Sequence, residues 1–478
     1  MQFDMVIGLE VHVQLKTRSK MFSSAPINYG AAANTQAAWV DLATPGTLPV
    51  VNKKAIEMAI MFGIAINAEI SRNSFFARKN YFYPDLPKGY QISQSSNPIV
   101  QNGEIEITTN RGTKIIHIER AHLEEDAGKS VHHLVTDGTG IDYNRAGTPL
   151  LEVVTHPDFR SSEEVISYLK AIHQLVCHLD ICDGNMQEGS LRCDVNLSIK
   201  KQGSETLGTR VELKNINSFK FIESAINYEY ERQVSHIENN VPIVQESRLY
   251  DPENNETRSM RNKENAFDYR YFPDPDLLPV IVTSQEINRI TDEMPMLPGV
   301  RQRKYAENLG ADAVNFLMEH VEIANYYDRV CRSIPPKVAY NWVSTELQAL
   351  FNREQKLFNA KAIPAHILIE IIQQVDTEAI SVKSAKKVLQ HYYAHPADIN
   401  AIIDQLELRQ SNDISAVEAL VHEIISNNKK QVDQYLSGKT QLLGFFVGQV
   451  MKKSQGKANP KQVSEVISQK LSQINPLL

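Results

Sequence analysis

The sequence has few cysteines, and it lacks a long apolar run. Its 478 residues include only 4 cysteines, none in a Cys-x-x-Cys spacing, which argues against a zinc ribbon and against a disulfide framework. No stretch of about 18 apolar residues is present, so we expect no membrane-spanning helix. Strand-like alternation begins at Phe3, so we expect no signal or transit peptide. These absences together predict a cytoplasmic protein.

The glycine-rich motifs of several enzyme classes are also absent. The chain has 21 glycines, but no Gly-x-Ser-x-Gly elbow, no Gly/Ser-rich amidase stretch and no Gly-x-Gly-x-x-Gly loop. Gly128, Lys129 and Ser130 mimic the end of a P-loop, yet Leu123 occupies the position that requires the first glycine. The sequence therefore predicts neither a glutaminase nucleophile nor a Walker-type phosphate loop.

The net charge of -7 excludes a surface that binds nucleic acid everywhere, so any RNA contact needs a local basic patch. The region from Lys439 to Lys470 is such a patch, because it contains six lysines and a single acidic residue, Glu465. Asn459 and Pro460 suit the N-cap and first turn of a final helix, whose N-terminus would add donors for phosphate. The candidate phosphate-binding lysines are Lys452, Lys453, Lys457 and Lys461. The alternative is a solvated lysine-rich helix face.

Three segments alternate between apolar and polar residues, which is the period of a strand with one buried face. They are residues 3–15, 191–199 and 209–213. Their polar faces carry Glu10, His12, Asp194 and Glu212. Acids that converge repel one another unless a cation neutralises them, and oxygen ligands suit magnesium, whereas an imidazole also suits manganese. The pattern predicts a metal site if the strands share a sheet, and otherwise a solvated sheet face.

Helices are predicted at 161–179 and 217–234, so the first ~290 residues are typical of an α+β fold with a largely antiparallel sheet. From Thr283, which has capping-box spacing to Glu286, almost only amphipathic helices follow. A further break is expected near 408–415, where Ser415 and Glu418 again have capping-box spacing. The predicted domains are 1–292, 293–410 and 411–478.

Two further segments are rich in polar residues. Glu124, Glu125 and Asp126 follow one another before a glycine, which indicates either a functional acidic segment or a solvated turn. Residues 78–91 are dense in aromatic side chains, prolines and charges, so they cannot form one regular element throughout. We predict an ordered loop there, either functional or a proline-stiffened connection.

Eight segments resemble the signature blocks of one family, the B subunit of the bacterial heterotrimeric aspartyl/glutamyl-tRNA amidotransferase. They occur in the family order between residues 8 and 460. Several are ten residues or longer, so chance agreement is negligible. They read GLEVHVQL, RKNYFYPDLPKGYQISQ, HLEEDAGKS, DYNRAGTPLLEVVT, EGSLRCDVNLS, VELKNINSF, DYRYFPDPDLLP and GFFVGQVMKKSQGKANP.

The resemblance implies a glutamine-synthetase-like cradle domain, a helical domain and a helical tail that holds tRNA. It implies that ATP phosphorylates the side-chain carboxylate of misacylated Glu-tRNA(Gln) or Asp-tRNA(Asn), and that ammonia then displaces phosphate. The implied cofactors are ATP and Mg²⁺, and Lys79 falls on the ammonia path. By similarity, the metal and nucleotide site falls on Glu10, His12, Glu125, Ser190, Asp194 and Glu212. Of these, Glu10, His12 and Glu125 are the implied catalytic residues.

The resemblance also implies partners, because this chain lacks a glutaminase motif. An amidase (A) subunit would supply ammonia, and a small C subunit would clamp the two. Some relatives carry a zinc-binding cysteine cluster where this chain has no cysteine between Met21 and Ala25, so no zinc is expected. Two alternatives remain. One is a free-standing ATP-dependent carboxylate–amine ligase, which the basic tail disfavours, and the other is a non-catalytic RNA-binding protein, which the acid cluster disfavours.

Overall fold

The computed structural model describes residues 3–94, 96–135, 138–260, 268–410, 414–454 and 457–474. The chain divides into two compact units, Met1–Arg301 and Gln302–Leu478. The first unit contains the β-strands together with several helices, and the second unit is helical. In the described part of the chain, no helix is both long enough and apolar enough to cross a lipid bilayer.

The strands all belong to the first unit. They are β1 (Phe3–Gln14), β2 (Glu69–Ile70), β3 (Asn73–Ser74), β4 (Ala77–Asn80), β5 (Tyr90–Ser93), β6 (Val100–Thr109), β7 (Gly112–Glu125), β8 (Lys129–Val135), β9 (Gly138–Asp142), β10 (Pro149–Thr155), β11 (Leu191–Lys201), β12 (Val211–Lys214), β13 (Ser247–Asp251), β14 (Glu256–Ser259), β15 (Phe272–Pro273) and β16 (Val280–Ile281).

The helices occur in both units. They are α1 (Lys53–Ala65), α2 (Ser162–His178), α3 (Phe219–Glu238), α4 (Ser284–Glu293), α5 (Pro298–Ala306), α6 (Ala311–Glu319), α7 (Val321–Val330), α8 (Pro336–Asn341), α9 (Gln348–Arg353), α10 (Ala365–Asp376), α11 (Val382–Ala394), α12 (Ile399–Gln405), α13 (Ile414–Asn427), α14 (Lys429–Leu436), α15 (Leu443–Lys453) and α16 (Pro460–Ile474). A π-helical segment joins α8 to α9, and a 3₁₀ turn precedes α15.

One large sheet dominates the first unit. Its strands follow the order β14-β13-β12-β11-β1-β10-β7-β5-β4-β15, and β6 and β2 extend it beside β7. The described pairings in this sheet are antiparallel except for the parallel pair of β12 and β13. The predicted mixture of helices with a largely antiparallel sheet is therefore confirmed, and so is the helical C-terminal region.

Alternation of apolar and polar residues explains how the sheet is covered. The residues Ile7, Leu9, Val11 and Val13 of β1 are buried, and the residues between them are only partly buried. The helices α1, α2 and α3 pack against the sheet and share one hydrophobic core with it. Ser161 and Ser218 cap α2 and α3 through their side chains, so both helices begin near their predicted starts. The opposite face of the sheet is left for polar groups.

Capping explains where several helices begin. Thr283 and Glu286 form a complete capping box at α4, as their spacing predicts. The side chain of Asn459 accepts a hydrogen bond from the backbone N–H of Lys461, which confirms Asn459 as the N-cap of α16. Ser415, in contrast, lies inside α13, so the capping box predicted at that position is wrong.

The second unit contains two hydrophobic clusters. The first extends from Tyr305 to Ile403, and the second from Val417 to Leu471. The predicted boundary between residues 410 and 411 borders 411–413, which lie outside the described residues. The other predicted boundary, after residue 292, falls in the last turn of α4. The three-domain division remains a prediction.

Candidate functional site

The register of four adjacent strands builds a polar row on the sheet face that the helices leave open. His12 on β1 lies opposite Arg192 on β11 and Glu152 on β10. Glu152 in turn lies opposite His122 on β7. Glu10, two residues before His12, lies opposite Asp194. Because side chains two residues apart point to the same face of a strand, these groups converge.

Two groups of side chains in this row have the geometry of a metal site. Glu10, His12 and Asp194 form the first group, and His12, Glu124 and Glu152 form the second. Within each group the potential ligand atoms lie within 4.8 Å of one another. His12 belongs to both, with its Nδ1 3.5 Å from a Glu124 oxygen and 4.0 Å from a Glu152 oxygen. Carboxylates with one imidazole suit Mg²⁺ or Mn²⁺.

Charge repulsion and burial perturb the titration of these groups. Burial raises the pKa of Glu10, and the negative charges of Glu152, Glu212 and Asp194 raise it further. Burial lowers the pKa of His12, but contact with Glu124 and the charge of Glu152 outweigh burial and raise it to about 9. The negative potential of the cluster therefore favours the binding of a positive charge.

Unsatisfied polar atoms mark the same place. The Nδ1 atoms of His12 and His122 are buried and make no hydrogen bond to the described residues. Buried polar atoms are normally paired, so such atoms call for an explanation. His122 turns its other nitrogen, Nε2, towards Glu152 at 3.4 Å. A bound cation at the acids would take the place of the proton on His12 and give its nitrogen a partner.

Lys79 faces the same cluster from β4. Burial lowers the pKa of Lys79, yet Glu124 and Glu152 outweigh burial and raise it above the usual lysine value. Its Nζ lies 4.9 Å from the centre of the Tyr269 ring and 6.0 Å from that of Tyr81. Lys79 is therefore a partly buried cation with acids on one side and aromatic rings on another. The place of Lys79 on an ammonia path stays a prediction.

Glu212 extends the polar row at its other end, on β12. It lies opposite Asn196, which donates a hydrogen bond to Glu10 at 2.9 Å. Lys214 bridges Glu212 and Asp194, with its Nζ 2.8 Å and 2.5 Å from their oxygens. Ser190 is buried directly before β11, and its carbonyl accepts the backbone N–H of Gln14.

Glu125 does not join these acids. It follows Glu124 in β7 and lies opposite Pro149, so its side chain points to the other face of the sheet. There it forms an ion pair with Lys88 and accepts the backbone N–H of Ile92 at 3.0 Å. The structure therefore separates Glu125 from the candidate metal groups in which the sequence predicts it.

The sequence did not predict as site residues Glu124, Glu152, His122 and Arg192, which the structure places in the row. The segment Pro149–Thr155 is apolar except for Glu152 and its terminal threonine, and a single acid in a buried strand was the available signal. The interpretation of residues 124–126 as a solvated turn is wrong, because all three acids are buried. The predicted loop at 78–91 is shorter in the structure. Its first and last residues belong to β4 and β5, and the connection between these strands consists of the nine residues 81–89.

The predicted lysines of the basic tail lie in the second unit. All four, namely Lys452, Lys453, Lys457 and Lys461, are exposed. Lys453 forms an ion pair with Glu423, and Lys457 lies 3.0 Å from Glu407. At the start of α16, the N–H of Lys461 is already bound by Asn459, whose amide donates to Glu378. Part of the donor potential of this helix start is therefore used within the protein.

Comparison with known proteins identifies relatives over nearly the whole chain. A family described as the GatB/GatE catalytic domain matches residues 5–288, and one described as the GatB domain matches residues 325–471. The B subunit of the aspartyl/glutamyl-tRNA(Asn/Gln) amidotransferase of Francisella tularensis subsp. novicida (strain U112) is 59% identical over 472 residues, which are 99% of this chain and 100% of that relative.

Two further relatives carry the same name. The protein of Francisella tularensis subsp. tularensis (strain SCHU S4 / Schu 4) is 59% identical, and that of subsp. mediasiatica (strain FSC147) is 58% identical, each over 99% of this chain and 100% of the relative. These matches confirm the resemblance found in the signature blocks. The chain belongs to the family of aspartyl/glutamyl-tRNA(Asn/Gln) amidotransferase B subunits.

Proposed function

We propose that this chain amidates the aminoacyl group of misacylated Glu-tRNA(Gln) or Asp-tRNA(Asn) in an ATP-dependent reaction. The side-chain carboxylate attacks the γ-phosphorus of ATP, which gives an acyl phosphate and ADP. Ammonia then attacks the acyl carbon and expels inorganic phosphate, which leaves the amide. A carboxylate alone is a poor acceptor for ammonia, and phosphorylation supplies the leaving group that it lacks.

The convergence of acids on one sheet face carries this proposal. Glu10, Glu124, Glu152 and Asp194 surround His12, and burial together with the neighbouring negative charges raises the pKa of Glu10. A divalent cation fits this set, because it would relieve the repulsion and pair with the buried His12 nitrogen. Bound Mg²⁺ would offset the negative charge on the ATP phosphates and on the transferring phosphoryl group.

The cations around the row have separate proposed roles. Lys214 would hold the side chains of Asp194 and Glu212 in place, because its ammonium bridges both carboxylates. Lys79 keeps a positive charge beside Glu124 and Glu152 at the aromatic side of the site. There it would orient the incoming ammonia, in line with its predicted place on the ammonia path. Ser190 stays a proposed nucleotide-binding residue.

Ammonia supply defines the proposed partners. The relatives are named as B subunits, and this chain has no glutaminase motif. We therefore propose an amidase (A) subunit that hydrolyses glutamine and a small C subunit that holds the two together. The glutamine-synthetase-like cradle belongs to the same proposal, with ATP bound on the polar sheet face. A reaction on charged tRNA places the complex in the cytoplasm.

The test is amide formation by the chain purified with its co-expressed partners. Glu-tRNA(Gln) and Asp-tRNA(Asn) are each supplied with glutamine, ATP and Mg²⁺, and both the amide product and ADP are measured. We expect amide and ADP in equal amounts, and neither product without ATP or without charged tRNA. ADP formation that responds to free glutamate or aspartate but not to charged tRNA would instead identify a free-standing carboxylate–amine ligase.

A further inference from the structure

A basic cavity in the second unit has no role in the proposed chemistry. Its volume is about 570 Å³. It lies where the end of α7 meets the start of α10. The lining residues are Arg329, Arg332, Ala360, Lys361, Pro364, Ala365, His366 and Ile369. Four of these eight residues have basic side chains, and none is acidic.

The cationic side chains of this cavity have no acidic residue beside them in its lining. Among the residues that the structure describes, no carboxylate forms an ion pair with Arg329, Arg332 or Lys361. All three side chains are exposed, and so is His366. The net charge of the chain is -7, so this cavity has a local charge opposite in sign to that of the whole chain. Two of the tail lysines, in contrast, already have acid partners.

We infer that the cavity formed by Arg329, Arg332, Lys361 and His366 binds a backbone phosphate of the tRNA substrate. The inference rests on the proposed function, which makes a charged tRNA the substrate. Guanidinium groups match phosphate oxygens in a fork geometry, and a lysine adds a mobile point charge. Pro364 offers no side-chain cap to α10, so the first N–H groups of that helix remain without a side-chain acceptor.

The composition of the lining favours a backbone phosphate over a nucleotide base. No Phe, Tyr or Trp lines the cavity, so only the imidazole of His366 and the guanidinium groups could stack on a base, and the lining is mainly cationic. Contacts to phosphates fix the position of a nucleic acid and carry no direct sequence information. The cavity would therefore position the tRNA body for both tRNA(Gln) and tRNA(Asn), without distinguishing them.

A charge-reversal pair with a matched control tests this inference. The full-length chain with Arg332→Glu and Lys361→Glu is compared with Arg353→Glu and Lys387→Glu, which reverse one exposed arginine and one exposed lysine outside the cavity. The affinity for an unacylated tRNA transcript is measured by fluorescence anisotropy at several salt concentrations. The neutral pair Arg332→Gln and Lys361→Gln, with thermal melts for all variants, separates an effect on binding from misfolding.

The cavity pair should weaken tRNA binding about tenfold or more and lower the slope of log Kd against log salt by about two. The neutral pair should change both in the same direction by less, and the control pair should change neither. Equal losses in the cavity and control pairs would show diffuse electrostatics and overturn the inference. The inference would also be overturned if the cavity pair lost binding of inorganic phosphate but kept its tRNA affinity. The cavity would then bind a free anion and not the tRNA.

The binding assay also separates this inference from the proposed function. If the assembled complex fails to amidate either charged tRNA, the proposed function fails whatever the cavity binds. If the complex is active, the cavity pair should raise the KM for tRNA and leave kcat at saturating tRNA unchanged. An unchanged KM together with unchanged binding would reject the cavity and leave the proposed function intact.

Discussion

Glu124 and Glu125 are neighbours in sequence, but they face opposite sides of the large sheet. Glu124 shares the polar row with His12 and Glu152, whereas Glu125 pairs with Lys88 in a buried contact. Three consecutive acids hide the period of two, so the sequence alone could not decide which carboxylate faces the metal groups. The strand register supplies that distinction, because Glu124 is paired with Leu150 and Glu125 with Pro149.

A matched pair of neutral substitutions separates the two acids. Glu124→Gln should lower Mn²⁺ affinity and reduce amide formation by about 100-fold or more. Loss of a residue that only supports a metal ligand already costs about 10–100-fold, and loss of a ligand itself should cost more. Glu125→Gln should keep Mn²⁺ affinity within a few-fold but destabilise the protein by about 3–5 kcal/mol, because it leaves the Lys88 charge buried without its partner. Mn²⁺ titration by electron paramagnetic resonance and thermal melts give both readings.

The reverse result would favour the assignment that the sequence predicts. If Glu125→Gln abolished Mn²⁺ binding and Glu124→Gln did not, Glu125 would be the ligand, and the side chain would have to turn towards the polar row. Asp194→Asn serves as the positive control, since Asp194 belongs to the candidate site both by sequence and by geometry.

Lys79 offers a second test at the residue scale. Lys79→Met removes a positive charge that faces Glu124 and Glu152, so Mn²⁺ affinity should stay the same or rise. Amide formation from glutamine should fall about tenfold or more, because the ammonium that would orient ammonia is lost. Lys54→Met, at an exposed lysine, is the control for the same substitution. Loss of Mn²⁺ binding in Lys79→Met would move Lys79 into the scaffold of the metal site.

At the scale of elements, period-two alternation was enough to predict β1, β11 and β12. Each of these strands has one buried face and one polar face, and so Glu10, His12, Asp194 and Glu212 could be recognised. The strand β10 could not be recognised in this way, because six of its seven residues are buried and the two faces look alike. Its pairing with β1 and β7, which brings in Glu152 and His122, is non-local and leaves no local signal.

Helix α1 packs closely against its neighbours at Gly63. A Cβ at Gly63 would lie 2.4 Å from Cδ1 of Ile70 and 2.9 Å from Cγ2 of Val100. Gly63→Leu should therefore overpack the contact between α1 and β6 and cost about 1–3 kcal/mol. For a unit of this size we expect the first thermal transition to fall by about 2–10 °C.

Gly299→Ala is the control for this substitution, because nothing lies within 4 Å of a Cβ at Gly299 in α5. It should be neutral or slightly stabilising, since alanine favours helix more than glycine does. A melting temperature for Gly63→Leu equal to that of the wild type would show that Ile70 and Val100 yield without cost.

At the scale of the whole molecule, the contrast is between an acidic chain and a few basic patches. The net charge is -7, yet the tail lysines and the cavity at Arg329 are both basic. The first could be predicted from the sequence, because its lysines are close together along the chain. The second could not, because Arg329 and Lys361 are far apart in the sequence and meet only through helix packing.

The tail lysines differ in how far the protein already neutralises them, and that difference predicts their contribution to tRNA binding. Lys453 and Lys457 have acid partners, whereas none is described for Lys452 or for the side chain of Lys461. An exposed ion pair contributes about 0–1 kcal/mol. Lys453 and Lys457 would lose that contribution when they leave their acid partners to bind a phosphate, so their net contribution to tRNA binding should be smaller. Lys452→Glu with Lys461→Glu should therefore weaken tRNA binding about tenfold and lower the salt slope by about two.

Reversal of Lys453 and Lys457 should have a smaller effect on both quantities, and ATP affinity should change in neither pair. Deletion of residues 414–478 should remove the whole tail contribution and again spare ATP binding, because the proposed nucleotide-binding residues belong to the first unit. Anisotropy titrations with tRNA at several salt concentrations, and with a fluorescent ATP analogue, measure these changes. Unchanged tRNA affinity in both the deletion and the Lys452/Lys461 pair would show that the lysines form only a solvated face, and would leave the cavity at Arg329 as the basic contact for the tRNA.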